Sequence, residues 1–357
     1  MTLNQDNAAH ALEGKLLQSG WQVNKKTESK PGATGGFFSV CYLVTKNNET
    51  AFLKALNFQA FFQMFRGSPI VEIINEQTSA FQFEKDLLLR CKSHRLSKVS
   101  VVLDEGEEVL DGFTIPNVPY LIFEMAEGDA RSHMNFTKDV ETTWKLQSLH
   151  NVAVGLKQLH SVGIGHQDLK PSNVLMYDNG LLSKIADLGR SLCEDIEAPH
   201  EQDGEFPGDM NYSPPEFLYR YYHPDWNFRV RSTDMYLFGS LIVFYFTGAN
   251  MTSLIGKNLN KQFKWTVFRG SFLDVQDYLI DAFYGAIKEF KSNISNEDLC
   301  RELSSIVEYC CFPIPEKRGH PKTNFNHDSV MNFNQFSFER IVTKFDLLYK
   351  KAKYQLR

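Results

Sequence analysis

The six cysteines of this 357-residue chain (Cys41, Cys91, Cys193, Cys300, Cys310, Cys311) show none of the paired spacings of a metal-binding domain. A basic excess is missing as well. The formal charge of −5 speaks against a general binder of nucleic acid or of anionic membranes, which usually carries surplus Lys and Arg. No cleavable apolar leader precedes Trp21, and the most apolar run, Met235 to Phe246, falls well short of the roughly 20 residues that span a bilayer. There is no internal repeat and no long low-complexity linker. These absences leave a globular chain with reduced thiols, expected in the cytoplasm, with the 235–246 run as a buried helix of a sizeable core.

What is present changes period part-way along. From Trp21 to about Met125, short apolar runs alternate with turn residues; Phe37 to Val44 and Ala51 to Leu56 flank Lys46-Asn-Asn-Glu49 in the pattern of a β hairpin. One helix is predicted in this half, around Thr78 to Cys91, where Phe81, Glu84, Leu88 and Cys91 recur at helical spacing. Strands are predicted near Val99 to Leu103 and Tyr120 to Glu124. After Met125 the period is helical: Leu146, Leu149, Val152, Leu156 and Leu159 form a stripe that Gly163 can terminate. The expected class is α+β, with two halves joined near residues 124–128 and a cleft between them as the default ligand site. The first 19 residues form an extension with a short helix predicted around Ala8 to Leu17. It docks on the first half, binds a partner, or is ordered without a role.

Phosphoryl transfer to a hydroxyl needs a carboxylate to orient the nucleophile, oxygen ligands for a metal, and a cation on the phosphates. His166-Gln-Asp168-Leu-Lys170-Pro-Ser-Asn173 supplies a base in Asp168, a phosphate-neutralising ammonium in Lys170 and a metal ligand in Asn173. Ala186-Asp187-Leu188-Gly189 follows an apolar strand and offers Asp187 as a second metal ligand. In this order and spacing the residues resemble the eukaryotic-type protein kinase family, whose Ser/Thr members carry H-R-D-x-K-P-x-x-N and D-F-G. The likeness extends over roughly residues 20–350. It implies a bilobal kinase fold: a β-rich N lobe at about 20–125 with one main helix, a hinge at about 124–128, and a helical C lobe at about 129–350.

By the same resemblance, Ala51-Phe52-Leu53-Lys54 stands for V-A-I-K, so Lys54 contacts the α- and β-phosphates. A carboxylate on an apolar stripe is costly without a partner, which favours Glu84 over Glu76 as the acid that positions Lys54. Ala33 to Val40 aligns with the glycine-rich loop but keeps only its middle glycine, with Gly35 and Gly36 left to approach the phosphates and Phe38 as a bulky cover. The resemblance places Val40 and Leu175 on either side of adenine, Phe123 at the back of the pocket, and the backbone of Glu124 to Ala126 along its edge. Downstream, Gly208 to Glu216 matches G-T-x-x-Y-x-A-P-E, Asp234 is expected to brace the catalytic-loop backbone, and Arg318 to pair with Glu216. The implied activity is transfer of the γ-phosphate of ATP, with Mg2+ or else Mn2+, to Ser or Thr of a protein substrate.

The departures are as specific as the matches. Gln167 replaces the arginine that would hold a phosphate on the activation segment, which carries seven acids from Glu194 to Asp209, and between Arg190 and Arg220 there is no Lys or Arg. This suggests activity without activation-segment phosphorylation; the acids are a site for basic substrates or a solvated loop. Phe52 replaces a small residue over adenine, which costs about 1–3 kcal/mol unless neighbours give way. Asp209 replaces a threonine and repels Asp168 while attracting Lys170. A pseudokinase scaffold is the first rival, motivated by Phe52, Ala33, Phe38 and Asp209; a small-molecule kinase is the second. Retention of Asp168, Asn173 and Asp187 weighs against the scaffold, and Lys170 with Pro214-Pro-Glu216 weighs against the metabolite kinase.

Overall fold

The computed structural model describes residues 7–27, 39–65, 67–136, 140–201, 205–321 and 333–355. It divides into two compact units, one running to Arg95 and including Ser100–Glu127, the other comprising Leu96–Val99 and the chain from Gly128 onward.

In the first unit, β1 (Gln22–Lys26), β2 (Ser39–Lys46), β3 (Glu49–Leu56), β4 (Val102–Val109) and β5 (Asn117–Glu124) form an antiparallel sheet in the order β1-β2-β3-β5-β4. The predicted hairpin is β2–β3. Asn47 and Asn48 both take left-handed φ at its tip, the conformation that a two-residue turn requires and asparagine tolerates. Strand alternation sorts the side chains: Tyr42, Val44, Ala51, Leu53 and Ala55 lie on a fully buried face, while Cys41, Leu43, Phe52 and Lys54 share the other.

The buried face is covered by the N-terminal extension. The helix expected over Ala8 to Leu17 is cut to one 3₁₀ turn, Ala8–His10, because the segment is shaped by the sheet it covers. Gly14 and Gly20, both at φ +82°, redirect the chain so that Ala8, Ala9, Leu12, Leu17 and Trp21 enter the same core as Tyr42, Leu53 and Tyr120. The Tyr42 hydroxyl donates to Ala9 O at 2.7 Å, and Trp21 Nε1 to Asp104 at 3.1 Å.

Two helices, not one, separate β3 from β4. α1 (Phe58–Met64) starts at Asn57, whose side chain accepts from Ala60 N, and α2 (Ile70–Ser93) begins eight residues before the predicted start. β4 begins at Val102, three residues after the predicted Val99. It is an edge strand, mostly half-buried, so its Asp-Glu-Gly-Glu-Glu stretch carries no apolar alternation to read.

The second unit opens with β6 (Gly128–Asp129) and α3 (Ala130–Phe136). In α4 (Thr142–Ser161) the four leucines and the valine of the stripe are all buried, and Gly163 follows at φ +75°. Then come β7 (Ile164–Gly165), β8 (Val174–Tyr177), β9 (Leu182–Ile185), β10 (Leu192–Cys193) and α5 (Pro215–Leu218). The apolar run is α6 (Trp226–Thr247), capped by Asp225 and ended by Gly248 at φ +77°; every residue from Ser232 to Tyr245 is buried. α7 (Met251–Asn258), α8 (Phe272–Ser292) and α9 (Glu297–Cys310) pack around it, and α10 (Glu339–Gln355) lies along α4. Among the described residues no single helix is long and apolar enough to cross a membrane.

Candidate active site

On the first unit, Lys54 of β3 meets Glu84 of α2: Nζ lies 2.9 and 3.1 Å from the two carboxylate oxygens. Glu84 is buried, whereas Glu76, two turns earlier, is exposed. The pair therefore satisfies a carboxylate that would be costly alone. Phe52 stands opposite Phe123 on the face that carries Lys54. Val40 does not share that face. Its register partner is Ala55, and it packs in the core with Tyr42 and Val44, so the residue directly opposite Lys54 is Cys41. Glu124 is tied to Val101 through its carboxylate (2.9 Å) and its backbone N–H (3.2 Å), and Ala126, just beyond β5, is half-buried. Gly35 and Gly36, with Ala33 and Phe38, lie outside the described residues.

On the second unit, the loop after β7 is organised by Asp234 of α6. Its carboxylate accepts from His160 Nε2 (2.7 Å), His166 N (2.9 Å), Gln167 N (2.8 Å) and Gln167 Nε2 (3.0 Å). Burial alone favours the neutral acid; the bonds from His160 and the Gln167 N–H outweigh it and hold the carboxyl below its usual pKa. Gln167, at φ +61°, also donates to Val230 O, so its side chain is spent inside the fold. His166 Nε2 donates to Ala186 O at 3.1 Å, tying the loop to the residue before Asp187.

Asp168, Lys170 and Asn173 converge there, all buried. Lys170 Nζ lies 2.9 Å from Asp168 Oδ2 and 3.5 Å from Asp209 Oδ2. Burial pulls the Lys170 ammonium toward neutrality, but Asp168, Asp209 and Asp187 outweigh it and leave its pKa raised. Asn173 Nδ2 donates to the Asp168 carbonyl (2.9 Å) and to its carboxylate (3.2 Å), so the group it can offer a cation is its carbonyl oxygen. Asp187 follows β9 at φ +66°. An amide oxygen and a carboxylate are the donor chemistry a hard divalent cation takes. Leu175 sits half-buried on β8, paired with Lys184. The repulsion expected of Asp209 is softened by its setting: its N–H donates to Asp168 Oδ1 (2.8 Å), and its own Oδ1 accepts from Asn211 N and Nδ2.

The acids after Asp187 are less free than their run suggests. Glu194 pairs with Arg231 (3.0 Å), and Glu201 with Arg229 (3.3 Å) and Trp226 Nε1 (2.8 Å); the cations come from α6, out of view of the local sequence. Further on, the Arg318 guanidinium binds both oxygens of Glu216, at 2.8 and 2.9 Å. His200 Nε2 donates to Ser191 O at 3.1 Å, and burial with nearby Arg190 lowers its pKa to about 4. A histidine held neutral below its free value favours the folded segment at neutral pH. That stability is complete above the free pKa of about 6.5 and shrinks as pH falls toward 4. The protection of amides over 191–201, taken relative to their intrinsic exchange rate at each pH, should fall in this window, and His200→Gln should flatten the response; an unchanged profile in the variant would assign the effect elsewhere.

A five-stranded antiparallel sheet with one long helix, followed by a mainly helical unit, is the α+β bilobal kinase fold. The chain belongs to the protein kinase domain family, whose model matches residues 36–329. Members of that family use ATP with a divalent metal. The chain is similar to a cysteine-rich receptor-like protein kinase of Arabidopsis thaliana, 26% identical over 249 residues, 68% of this chain and 33% of that protein. It is 33% identical over 136 residues to cyclin-dependent kinase G1 of the same plant, 38% of this chain and 21% of that protein. A third Arabidopsis protein, described as a leucine-rich repeat receptor-like serine/threonine-protein kinase, is 31% identical over 170 residues, 46% of this chain and 17% of that protein. The chain thus spans a third or less of the length of these relatives.

Proposed function

We propose that this protein transfers the γ-phosphate of ATP to a Ser or Thr hydroxyl of a protein substrate. The observation that carries the reading is the buried Asp168–Lys170–Asn173 cluster, since a scaffold has no chemical use for three polar groups held together at the cost of burial. Asp168 accepts the proton of the acceptor hydroxyl, Lys170 neutralises the transferring phosphate, and Lys54, oriented by Glu84, binds the α- and β-phosphates. Asn173 and Asp187 hold Mg2+, which neutralises charge on the phosphate oxygens. Cys41, opposite Lys54, takes the place assigned to Val40 over the nucleotide. The relatives' Ser/Thr names and the Lys at 170 support that acceptor class. The six free cysteines, four of them buried, fit a cytoplasmic setting.

Activity independent of activation-segment phosphorylation is part of the proposal. From Asp187 to Glu216 the only hydroxyl side chains are Ser191, Tyr212 and Ser213, and all three are buried. Gln167 presents no cation to a phosphate, and Glu201 already occupies Arg229.

Incorporation of labelled γ-phosphate into the protein itself and into a generic protein substrate tests both parts. Asp168→Ala should lower the rate about 10²–10⁴-fold and Asp187→Ala should abolish it, while phosphatase treatment of the wild type should leave the rate unchanged. No label in the wild type and no thermal shift with Mg-ATP would favour the scaffold; a rate lost on phosphatase treatment would remove only the second part.

A further inference from the structure

Arg131, in the first turn of α3, donates from Nη2 to the Tyr212 hydroxyl at 2.6 Å, with the guanidinium 5.9 Å from the centre of that ring. Tyr212 is buried and belongs to the segment that cradles the proposed base: its N–H donates to Asp209 O, and the Asp209 N–H donates to Asp168 Oδ1, both at 2.8 Å. Arg131 is therefore linked to Asp168 by three successive hydrogen bonds, through Tyr212 and Asp209. It is half-buried, and no carboxylate among the described residues pairs with it. The contrast with Arg229, Arg231 and Arg318 is direct, since each of those meets a glutamate of its own.

A guanidinium with one donor spent on a phenol keeps a planar fork for a carboxylate or phosphate, and the ring behind it limits the orientations that would have to be frozen on binding. The acids that could have drawn a basic substrate are partly consumed, Glu194 and Glu201 by arginines of α6. We infer that Arg131 is a specificity-determining residue that selects protein substrates bearing an anionic side chain, carboxylate or phosphate, near the acceptor hydroxyl. The inference rests on the proposed kinase activity and names the substrate class of the same site.

Peptides that share one acceptor serine and differ at a single neighbouring position, carrying Glu, phosphoserine, Ala or Arg, test it. Wild type should favour the anionic members over alanine by about three- to tenfold in kcat/KM, the range of a charge-assisted bond partly screened by water. The Glu and phosphoserine arms show which anion is preferred. Arg131→Gln keeps a donor for Tyr212 and should lose the preference, Arg131→Lys should keep it, and Arg131→Glu should reverse it toward the arginine peptide. Equal rates on all wild-type arms, or an Arg131→Gln variant that slows every peptide alike with the ratio intact, would make Arg131 a brace for Tyr212 and overturn the inference while leaving the kinase reading. Absence of label in every peptide and in the protein itself would overturn the kinase reading, and the inference with it.

Discussion

Arg318→Ala should cost about 3–5 kcal/mol, enough to leave the protein close to unfolded at ambient temperature. Arg318 is fully buried and all three of its guanidinium nitrogens donate. Nη1 reaches Glu216 Oε1, Ser232 Oγ (2.9 Å) and Ser232 O (3.2 Å); Nη2 reaches Glu216 Oε2; and Nε reaches Phe312 O at 3.1 Å. Burial works against the charge, but Glu216 overcomes it and raises the pKa of the guanidinium. Truncation leaves the Glu216 carboxylate buried without a partner and strips three other acceptors at once. Replacing both residues by apolar ones, Arg318→Met with Glu216→Leu, should recover much of the loss, because the desolvated charge goes with its partner. Urea midpoints for the two variants measure this. A loss below about 1 kcal/mol in the single variant would mean that water enters and solvates Glu216.

Removal of residues 1–20 should be of similar size. Leu12 and Leu17 are fully buried against the sheet, and together they contribute about 3–6 kcal/mol by burial alone. The deletion also uncovers Tyr42, Val44 and Tyr120 and leaves the Tyr42 hydroxyl without Ala9 O. The first unit should then lose its cooperative transition, and Leu12→Ala alone should cost about 2–5 kcal/mol. A truncated protein with an unchanged melting temperature would show that the sheet closes over this face by other means.

The parts of the site legible in the sequence were those whose chemistry is local or whose partner is dictated by burial. Glu84 stood out because a carboxylate on an apolar stripe needs a cation, and Lys54 was the one in position. Asp234 and Glu216 with Arg318 followed from spaced motifs, and each makes the contact expected of it. Legibility failed where position depends on registry or on a distant segment. A shift of one residue along β2 decides whether Val40 or Cys41 faces Lys54, and the alternation of Val40, Tyr42 and Val44 became readable only once β3 was beside it. The extension carries apolar residues at irregular intervals because glycine turns and the sheet set its path, so periodicity suggested a helix that is not there. Arg229 and Arg231 precede Asp234 closely, yet nothing local marks them as partners of Glu201 and Glu194. Arg131 carried no signal, since a lone arginine on a short helix reads as a solvated surface charge.

The anchoring of the 166–168 loop on Asp234 bears on how the protein fails when heated. α6 is among the last elements able to open, because its centre is enclosed on all sides, and segments of that kind exchange only through global unfolding. A loop whose backbone N–H groups end on such a helix has no private melting transition. Release of the 166–168 loop should therefore not precede the calorimetric transition of the second unit on heating.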